Sequence, residues 1–159
     1  VFTPTHDRYW TAAKNAYEMF LPLAEKKKIA FSFESSEDAP KAYASRDAIA
    51  RIINNLVSNA IKYTPEGGSA SIAIAEAGGR LEIKISDTGI GVPEESRKYL
   101  FHEFFRAPNA KKSSEPGTGL GLTIVKKLAE ENGGTVEYAP NEPKGSVFTV
   151  SFPAVRKQD

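Results

Sequence analysis

The residues best suited to chemistry lie in three short stretches of this chain. In the first, Asn55, Asn59 and Lys62 recur at intervals of four and three residues. An α-helix turns about 100° per residue, so these side chains share one narrow arc. Asparagine is a mediocre helix former because its amide competes with the backbone for hydrogen bonds. The stripe therefore points to binding, with a solvated helix border as the plainer alternative.

The second stretch is an acidic residue followed by glycines, Asp87-Thr88-Gly89-Ile90-Gly91. An ionised carboxylate can only accept hydrogen bonds, and the glycines allow a flat ligand to approach closely. Such a site suits an exocyclic amino group, as on adenine, and repels the carbonyl that guanine carries there. A common strand-ending turn explains the same residues, so this motif is weak by itself.

The third stretch is glycine-rich and runs into a predicted helix; it consists of Gly117, Thr118, Gly119, Leu120, Gly121 and Leu122. Backbone N–H groups at a helix N-terminus attract phosphates. The stretch is neither a P-loop nor the dinucleotide-binding fingerprint, because the lysine of the first and the glycine spacing of the second are missing. It also lacks the context of a protein-kinase loop. A flexible hinge is the alternative, and it is compatible with phosphate binding.

The asparagine stripe requires a helix, and the stretch from Ser45 to Thr64 is typical of an amphipathic one. Ser45 is a favourable N-cap, Asp47 suits the positive first turn, and Pro65-Glu66-Gly67-Gly68 ends the helix. Its apolar residues recur every three or four positions, which predicts one buried face made of Ile49, Ile52, Ile53, Leu56, Val57 and Ala60.

The rest of the chain predicts an α+β fold. A helix over residues 9–28 contains Pro22, which should kink or divide it. A last helix covers 120–131, and strands are predicted at 29–33, 42–44, 69–76, 80–86, 135–138 and 146–152. Residues 1–8 form a lead-in and 154–159 a tail, so 9–153 make one domain with a lid at about 93–116. The architecture expected is a two-layer sandwich, with helices on one face of a mixed or antiparallel sheet.

Composition narrows the classes of function. A chain of 159 residues with a net charge of +1 supports one core and gives no argument for nucleic acid. The absence of cysteine excludes disulfides and thiolate metal sites. No apolar run reaches membrane-spanning length and no signal peptide opens the chain, so a cytoplasmic domain without membrane contact is expected, and a membrane anchor on a longer parent chain is compatible with this. His6 and His102 are isolated and predict no metal site, and the run Lys26-Lys27-Lys28 is expected to meet the dipole of the first helix.

Four motifs, in one order, resemble those of sensor histidine kinases. I-N-N-L-V-S-N-A-I-K-Y-T resembles their N box, D-T-G-I-G-V their G1 box, L-F-H-E-F-F-R their F box and G-T-G-L-G-L-T their G2 box. The likeness extends from about residue 9 to residue 153. It implies the catalytic, ATP-binding domain of a two-component sensor histidine kinase, with the Bergerat (GHKL) ATPase fold and a mostly antiparallel mixed sheet.

The resemblance implies ATP and Mg²⁺ as cofactors and assigns their ligands. Asn59 would bind the metal, while Asn55 and Lys62 would contact phosphate or ribose, and Arg106 the γ-phosphate. Asp87 would bind the adenine amino group. Tyr63, Gly89, Gly91 and Val92 would shape the adenosine pocket, and Gly117 to Leu122 would line the triphosphate. The catalytic residues implied are Asn55, Lys62 and Arg106.

Asn55 separates branches of this superfamily. Gyrase-like, mismatch-repair and chaperone ATPases, and to a large extent anti-sigma-factor serine kinases, resemble one another in carrying an acidic residue at this position. That residue activates water, whereas asparagine has no accessible basic form. Asn55 therefore favours phosphate transfer to another acceptor over hydrolysis.

The phosphoacceptor histidine motif of such kinases is not recognised in this sequence, because His6-Asp7-Arg8 resembles it only weakly. The resemblance implies a monomeric catalytic half of a homodimeric parent, with a histidine-containing dimerisation domain and a response regulator as partners. Alone it should bind Mg-ATP without phosphorylating itself. An ATPase or serine-kinase module of the same fold and a pseudokinase that only docks partners are the alternatives.

The lid is expected to be mobile without nucleotide, because few apolar residues are available to hold it. In hydrogen exchange on the nucleotide-free domain, amides of residues 93–116 should exchange faster than those of the neighbouring strands. Strong protection throughout that segment would contradict the expectation.

Overall fold

The computed structural model describes residues 6–36, 42, 44–102, 105, 108–111 and 121–154. None of the helices within these ranges combines the length and apolar character needed to cross a membrane.

Five strands form one mixed sheet in the order β1-β2-β3-β5-β4. They are β1 (Ala30–Ser35), β2 (Ser69–Ala77), β3 (Arg80–Asp87), β4 (Thr135–Pro140) and β5 (Ser146–Pro153). β1 and β2 run parallel, and the other three pairings are antiparallel. The register places Asp87 opposite Ala70 on one side and Ser146 on the other. Asp87 therefore ends the central strand with a neighbour on each flank.

The described helices are α1 (His6–Lys26), α2 (Arg46–Lys62), α3 (Pro108–Lys111) and α4 (Gly121–Glu131), with a 3-10 turn at Glu94–Tyr99. α1 packs on β1, α2 on β2 and β3, and α4 on β4 and β5. Alternate strand residues are buried under them, including Ile72, Ile74, Leu81, Ile83, Ile85, Val150 and Phe152. Because the intervening side chains, such as those of Ser71 and Lys84, are more exposed, the helices lie on one face. The predicted α+β sandwich is confirmed.

α2 has the boundaries and the buried face that its sequence predicts. The six apolar side chains predicted for the buried face are all in the core, and Ser45 caps the first turn by accepting a hydrogen bond from the Ala48 N–H at 3.3 Å. Asn132, after the end of α4, accepts a bond from the Ser45 N–H at 2.8 Å through its Oδ1. The start of α2 is thus tied to the end of α4, and the predicted end of the last helix at residue 131 is confirmed.

Three local expectations are corrected by the structure. Of the two effects predicted for Pro22, division of α1 is wrong, because the helix continues through it to Lys26, while a kink stays a prediction. Pro22 is exposed, so the backbone carbonyl that loses its N–H donor to proline can face water. Ala42 forms an isolated bridge with Ala154 instead of a strand. The first helix begins at His6, inside the predicted lead-in.

The early part of the predicted lid has apolar contacts with the core. Leu100 is buried, and the Phe101 ring meets Phe148 edge-on with 6.4 Å between ring centroids. The argument for mobility from scarce apolar contacts therefore does not apply up to Phe101, while the exchange behaviour itself stays a prediction.

Candidate functional site

The asparagine stripe lies along the border of α2, as predicted. Asn55, Asn59 and Lys62 are all half-buried, between the core face and the exposed face. The stripe adjoins the start of α4, since a methyl group added to Gly121 would lie 3.8 Å from Oδ1 of Asn55. The Lys62 ammonium lies over the Tyr63 ring, 5.5 Å from its centroid. Two of the three predicted stretches therefore meet.

The end of α2 also contacts the turn after Asp87. The Ile90 N–H donates to the carbonyl oxygen of Tyr63 at 3.2 Å. A side chain on Gly89 would collide with that same carbonyl and with Oδ1 of Asp87, so glycine is required for this close approach. The Asp-x-Gly turn and the asparagine helix are hence held in direct contact.

Asp87 is a buried carboxylate, and one of its two oxygens is fixed by backbone donors. Its exposed fraction is 7%, and Oδ1 accepts from the N–H of Gly89 at 2.8 Å and of Ser146 at 3.2 Å. Within the described part of the chain, no hydrogen bond or ion pair engages Oδ2. The second oxygen is thus left as an acceptor for a donor group of a ligand.

Burial dominates the electrostatics of Asp87. Desolvation raises the pKa of this carboxyl above its ordinary value, and the bonds from Gly89 and Ser146 partly oppose the rise. A cationic partner would oppose it more strongly, but the structure gives Asp87 none among the residues it describes. The site therefore combines an acidic acceptor with low polarity, which strengthens a hydrogen bond from a ligand.

The loop between β4 and β5 supports Asp87 from the other side. Asn141 Nδ2 donates to the Asp87 carbonyl at 2.8 Å. Gly145 has φ +109, and a side chain there would overlap the same carbonyl, so only glycine fits. Sequence reasoning missed these residues, because they lie between two predicted strands and belong to none of the recognised motifs. A glycine directly before a strand was the one available signal.

The segments on both sides of the glycine-rich stretch each donate a side-chain hydrogen bond to a backbone carbonyl of an earlier segment. Asn109, in α3, donates through Nδ2 to the carbonyl of Gly91 at 2.9 Å. Thr123, in the first turn of α4, donates to the carbonyl of Phe101 at 3.1 Å. Val92, which follows Gly91, packs against the core. Within the predicted lid, Asn109 is therefore bound to the turn after Asp87, and Phe101 is bound to the start of α4.

The described part of the chain brings together most of the predicted site residues: Asn55, Asn59, Lys62, Tyr63, Asp87, Gly89, Gly91, Val92, Gly121 and Leu122. The others lie outside the described residues: Arg106, Gly117, Thr118, Gly119 and Leu120. The arrangement is a polar helix border on one side and an acid-containing turn on the other.

The donor set fits a metal that arrives with a phosphate ligand. Among the described residues, no three histidine, cysteine or acidic side chains are grouped to hold a metal by themselves. The Asn59 amide oxygen is a hard ligand, and Mg²⁺ is commonly bound by one or two protein oxygens together with substrate phosphates. The residues present therefore suit magnesium bound through a nucleotide.

Comparison with known proteins identifies the family. Residues 44–156 match the model for the histidine kinase-, DNA gyrase B- and HSP90-like ATPase family, and the chain belongs to that family. Within it, the relatives and structural neighbours described below place the chain among the ATP-binding catalytic domains of sensor histidine kinases.

Two curated relatives match along much of this chain. The sensor-like histidine kinase SenX3 of Mycolicibacterium smegmatis is 40% identical over 119 residues, which are 73% of this chain and 31% of that protein. Histidine kinase P4 of Formosa agariphila is 35% identical over 146 residues, which are 90% of this chain and 11% of that protein. The chain thus spans less than a third of the length of either relative.

Solved structures of similar fold cover nearly the whole chain. The nucleotide-free catalytic domain of histidine kinase ThkA has a TM-score of 0.82 and 29% identity, over 98% of this chain and 99% of that one. Full-length ShkA in complex with AMPPNP has a TM-score of 0.80 and 26% identity, over 99% of this chain and 32% of that one. ThkA in complex with the response regulator protein TrrA has a TM-score of 0.78 and 27% identity, over 97% of this chain and 42% of that one.

The raised pKa of Asp87 predicts a pH dependence of stability. The folded state holds this proton more tightly than the unfolded chain, in which the pKa is about 3.9. The ionised carboxylate therefore costs stability at neutral pH, and the cost is relieved as the pH falls through the folded pKa. Compared with Asp87→Asn, the wild-type domain should gain free energy of unfolding between neutral pH and about pH 4.

Urea denaturation of both proteins at a series of pH values measures this difference. Glu82→Gln removes a carboxylate from the same strand and controls for the general loss of one negative charge. A difference between wild type and Asp87→Asn that stays constant with pH, or grows in the opposite direction, would contradict the direction of the shift.

Proposed function

We propose that the domain binds Mg-ATP between α2, the Asp87 turn and the start of α4, and transfers the γ-phosphate to a histidine on a separate dimerisation domain. From there the phosphate is relayed to an aspartate of a response regulator. The observation that carries the proposal is the buried Asp87 carboxylate. One of its oxygens accepts hydrogen bonds from two backbone donors, and the other has no hydrogen-bond partner among the described residues.

Adenine recognition rests on the polarity of Asp87. Its second oxygen accepts a hydrogen bond from the exocyclic amino group of adenine, whereas a guanine carbonyl at that place would meet an acceptor with an acceptor. Because the carboxylate is buried, a mismatch leaves it without compensation, which makes the discrimination strong. Gly89 and Gly91 leave room for the ring beside the backbone, and Tyr63 and Val92 border the pocket.

The phosphates are assigned to the polar border of α2 and the N-terminus of α4. Lys62 supplies a positive charge, and Asn55 lies beside Gly121, where the first N–H groups of α4 are available to phosphate oxygens. Asn59 is the residue we assign to magnesium, which when bound neutralises phosphate charge. Arg106 is proposed as the γ-phosphate partner on sequence grounds alone.

Transfer is favoured over hydrolysis because Asn55 cannot act as a base. A neutral amide does not take a proton from water near neutral pH, so position 55 provides no general base to activate water for attack on the γ-phosphate. The residues of the site can bind and orient the nucleotide and stabilise charge on the transferred group. The attacking nucleophile is then supplied by the acceptor domain.

The partners follow from the class of protein and its neighbours. ShkA binds AMPPNP and ThkA binds a response regulator protein in their solved complexes, which supports a nucleotide and a response regulator for the parent of this domain. We infer a homodimeric parent and a monomeric isolated domain. The domain alone is expected to bind Mg-ATP without phosphorylating itself.

A phosphotransfer assay tests the proposal. Mg-ATP and the domain, mixed with a separate helical-hairpin domain that carries the phosphoacceptor histidine, should label that histidine with acid-labile phosphate. Asn59→Ala should abolish labelling, whereas Asn54→Ala, on the same helix and also half-buried, should retain it. Acid-stable phosphate would indicate a serine kinase, acceptor-independent phosphate release an ATPase, and binding without transfer a pseudokinase.

Nucleotide affinity of Asp87→Asn tests the adenine assignment. The variant amide can still accept the bonds from Gly89 and Ser146, so the fold should persist, but its NH₂ group can face the adenine amino group. Calorimetry should show ATP binding weakened by about 1–3 kcal/mol, the usual cost of a mispaired buried polar group. Affinity equal to that of wild type and of the control Glu82→Gln would refute the assignment.

A further inference from the structure

The C-terminal end of α2 has an unusual set of hydrogen-bond donors. The last carbonyls of a helix have no partners within the helix and need donors from elsewhere. The Asn59 carbonyl accepts from the Tyr63 N–H at 3.0 Å, and the Ala60 carbonyl accepts from the Thr64 hydroxyl at 2.6 Å. These two donors come from the chain that follows the helix directly.

The next two carbonyls are bound by one side chain from a distant part of the chain. Lys27 Nζ donates to the carbonyl of Ile61 at 2.9 Å and to that of Lys62 at 2.8 Å. Lys27 follows the last residue of α1 and is 34 and 35 residues away from its two acceptors. The expectation from sequence, that the basic run meets the dipole of α1, therefore misses the contact of Lys27 with a second helix.

The positive charge of the Lys27 ammonium is complementary to the partial negative charge at the C-terminal end of α2. The C-terminal end of a helix carries partial negative charge on its unpaired carbonyls, so a cation that also donates hydrogen bonds stabilises it twice. Lys27 is partly buried, which limits the screening of this interaction by water. Replacing it would leave two half-buried carbonyls without their donor.

The held residues belong to the candidate site. Lys62 follows Ile61 as the last residue of α2, and Tyr63 caps it while its carbonyl accepts from Ile90 in the Asp87 turn. Lys27 thus fixes the last turn of α2 on one side and the Ile90 bond fixes it on the other. The direction of the Lys62 side chain depends on this turn.

We propose that Lys27 is a positioning residue for the phosphate side of the nucleotide site. By binding the carbonyls of Ile61 and Lys62, it holds the final turn of α2 so that the Lys62 ammonium points to the phosphates. This inference rests on the proposed function. Lys27 lies outside residues 44–156, the segment that matches the family, so family membership does not assign it this role.

Comparing two ligands separates positioning from general stability. Lys27→Met keeps the length of the side chain but removes its charge and donors. Mg-ATP affinity, measured by calorimetry, should fall on the order of tenfold, the loss expected for charge-assisted bonds. Adenosine has no phosphate and is read by Asp87, so its affinity, measured by NMR titration, should change less than about twofold.

Two further variants complete the design. Lys26→Met removes a neighbouring positive charge from the exposed end of α1 and should leave both affinities unchanged. Lys27→Arg keeps the charge and the donors and should restore ATP affinity to within about threefold of wild type, since guanidinium also donates to carbonyls. If Lys27→Met does not fold, Lys27→Gln is titrated with the same pair of ligands and should show the same selective loss.

Selective loss of ATP affinity with rescue by arginine supports the inference. An equal loss for ATP and adenosine, or no loss for either, would overturn it, because a merely structural role predicts no preference for the phosphorylated ligand. Failure of the wild-type domain to bind either ligand is a different result. It would refute the proposed function itself, before any Lys27 variant is compared.

Discussion

A buried carboxylate held by backbone donors is the feature on which the geometry of the candidate site depends. Burial raises the pKa of Asp87, which favours the protonated form. The structure opposes this with backbone donors from Gly89 and Ser146, which are rigid and keep one oxygen engaged. The turn after β3 and the start of β5 bring these two donors to the same oxygen atom.

The same geometry explains why positions 89 and 145 are occupied by glycine. Gly89 has to pass the carbonyl of Tyr63 closely in order to donate to Asp87, and Gly145 has to pass the carbonyl of Asp87 itself. In both places a side chain would push the donor-bearing segments apart. The β4–β5 loop therefore belongs to the site as much as the turn after β3 does, although it lies far along the chain.

α2 serves the core and the site with different faces. Its buried aliphatic side chains anchor it to the sheet, and this packing offsets the poor helix propensity of the asparagines on its border. Both ends are held by side chains from other elements, Asn132 at the start and Lys27 at the end. The segment that matches the family contains α2 and strands β2 to β5, whereas α1, Lys27 and β1 precede it.

The sequence by itself determined most of the secondary structure and the main features of the site. Helix periodicity, strand alternation and caps depend on neighbours within a few residues, so α2, its buried face and the position of Asp87 at a strand end were predictable. The same local motifs, taken in order, indicated the family. Pro22 was predicted less well, because its exposure in α1 depends on how that helix packs.

Only the tertiary structure decided which distant groups meet. Local patterns do not contain the parallel pairing of β1 with β2 or the insertion of β5 between β3 and β4. The Ser146 donor lies 59 residues from Asp87, and Lys27 lies 34 residues from Ile61. Contacts of that separation depend on the packing of whole elements, and no spacing within a motif records them.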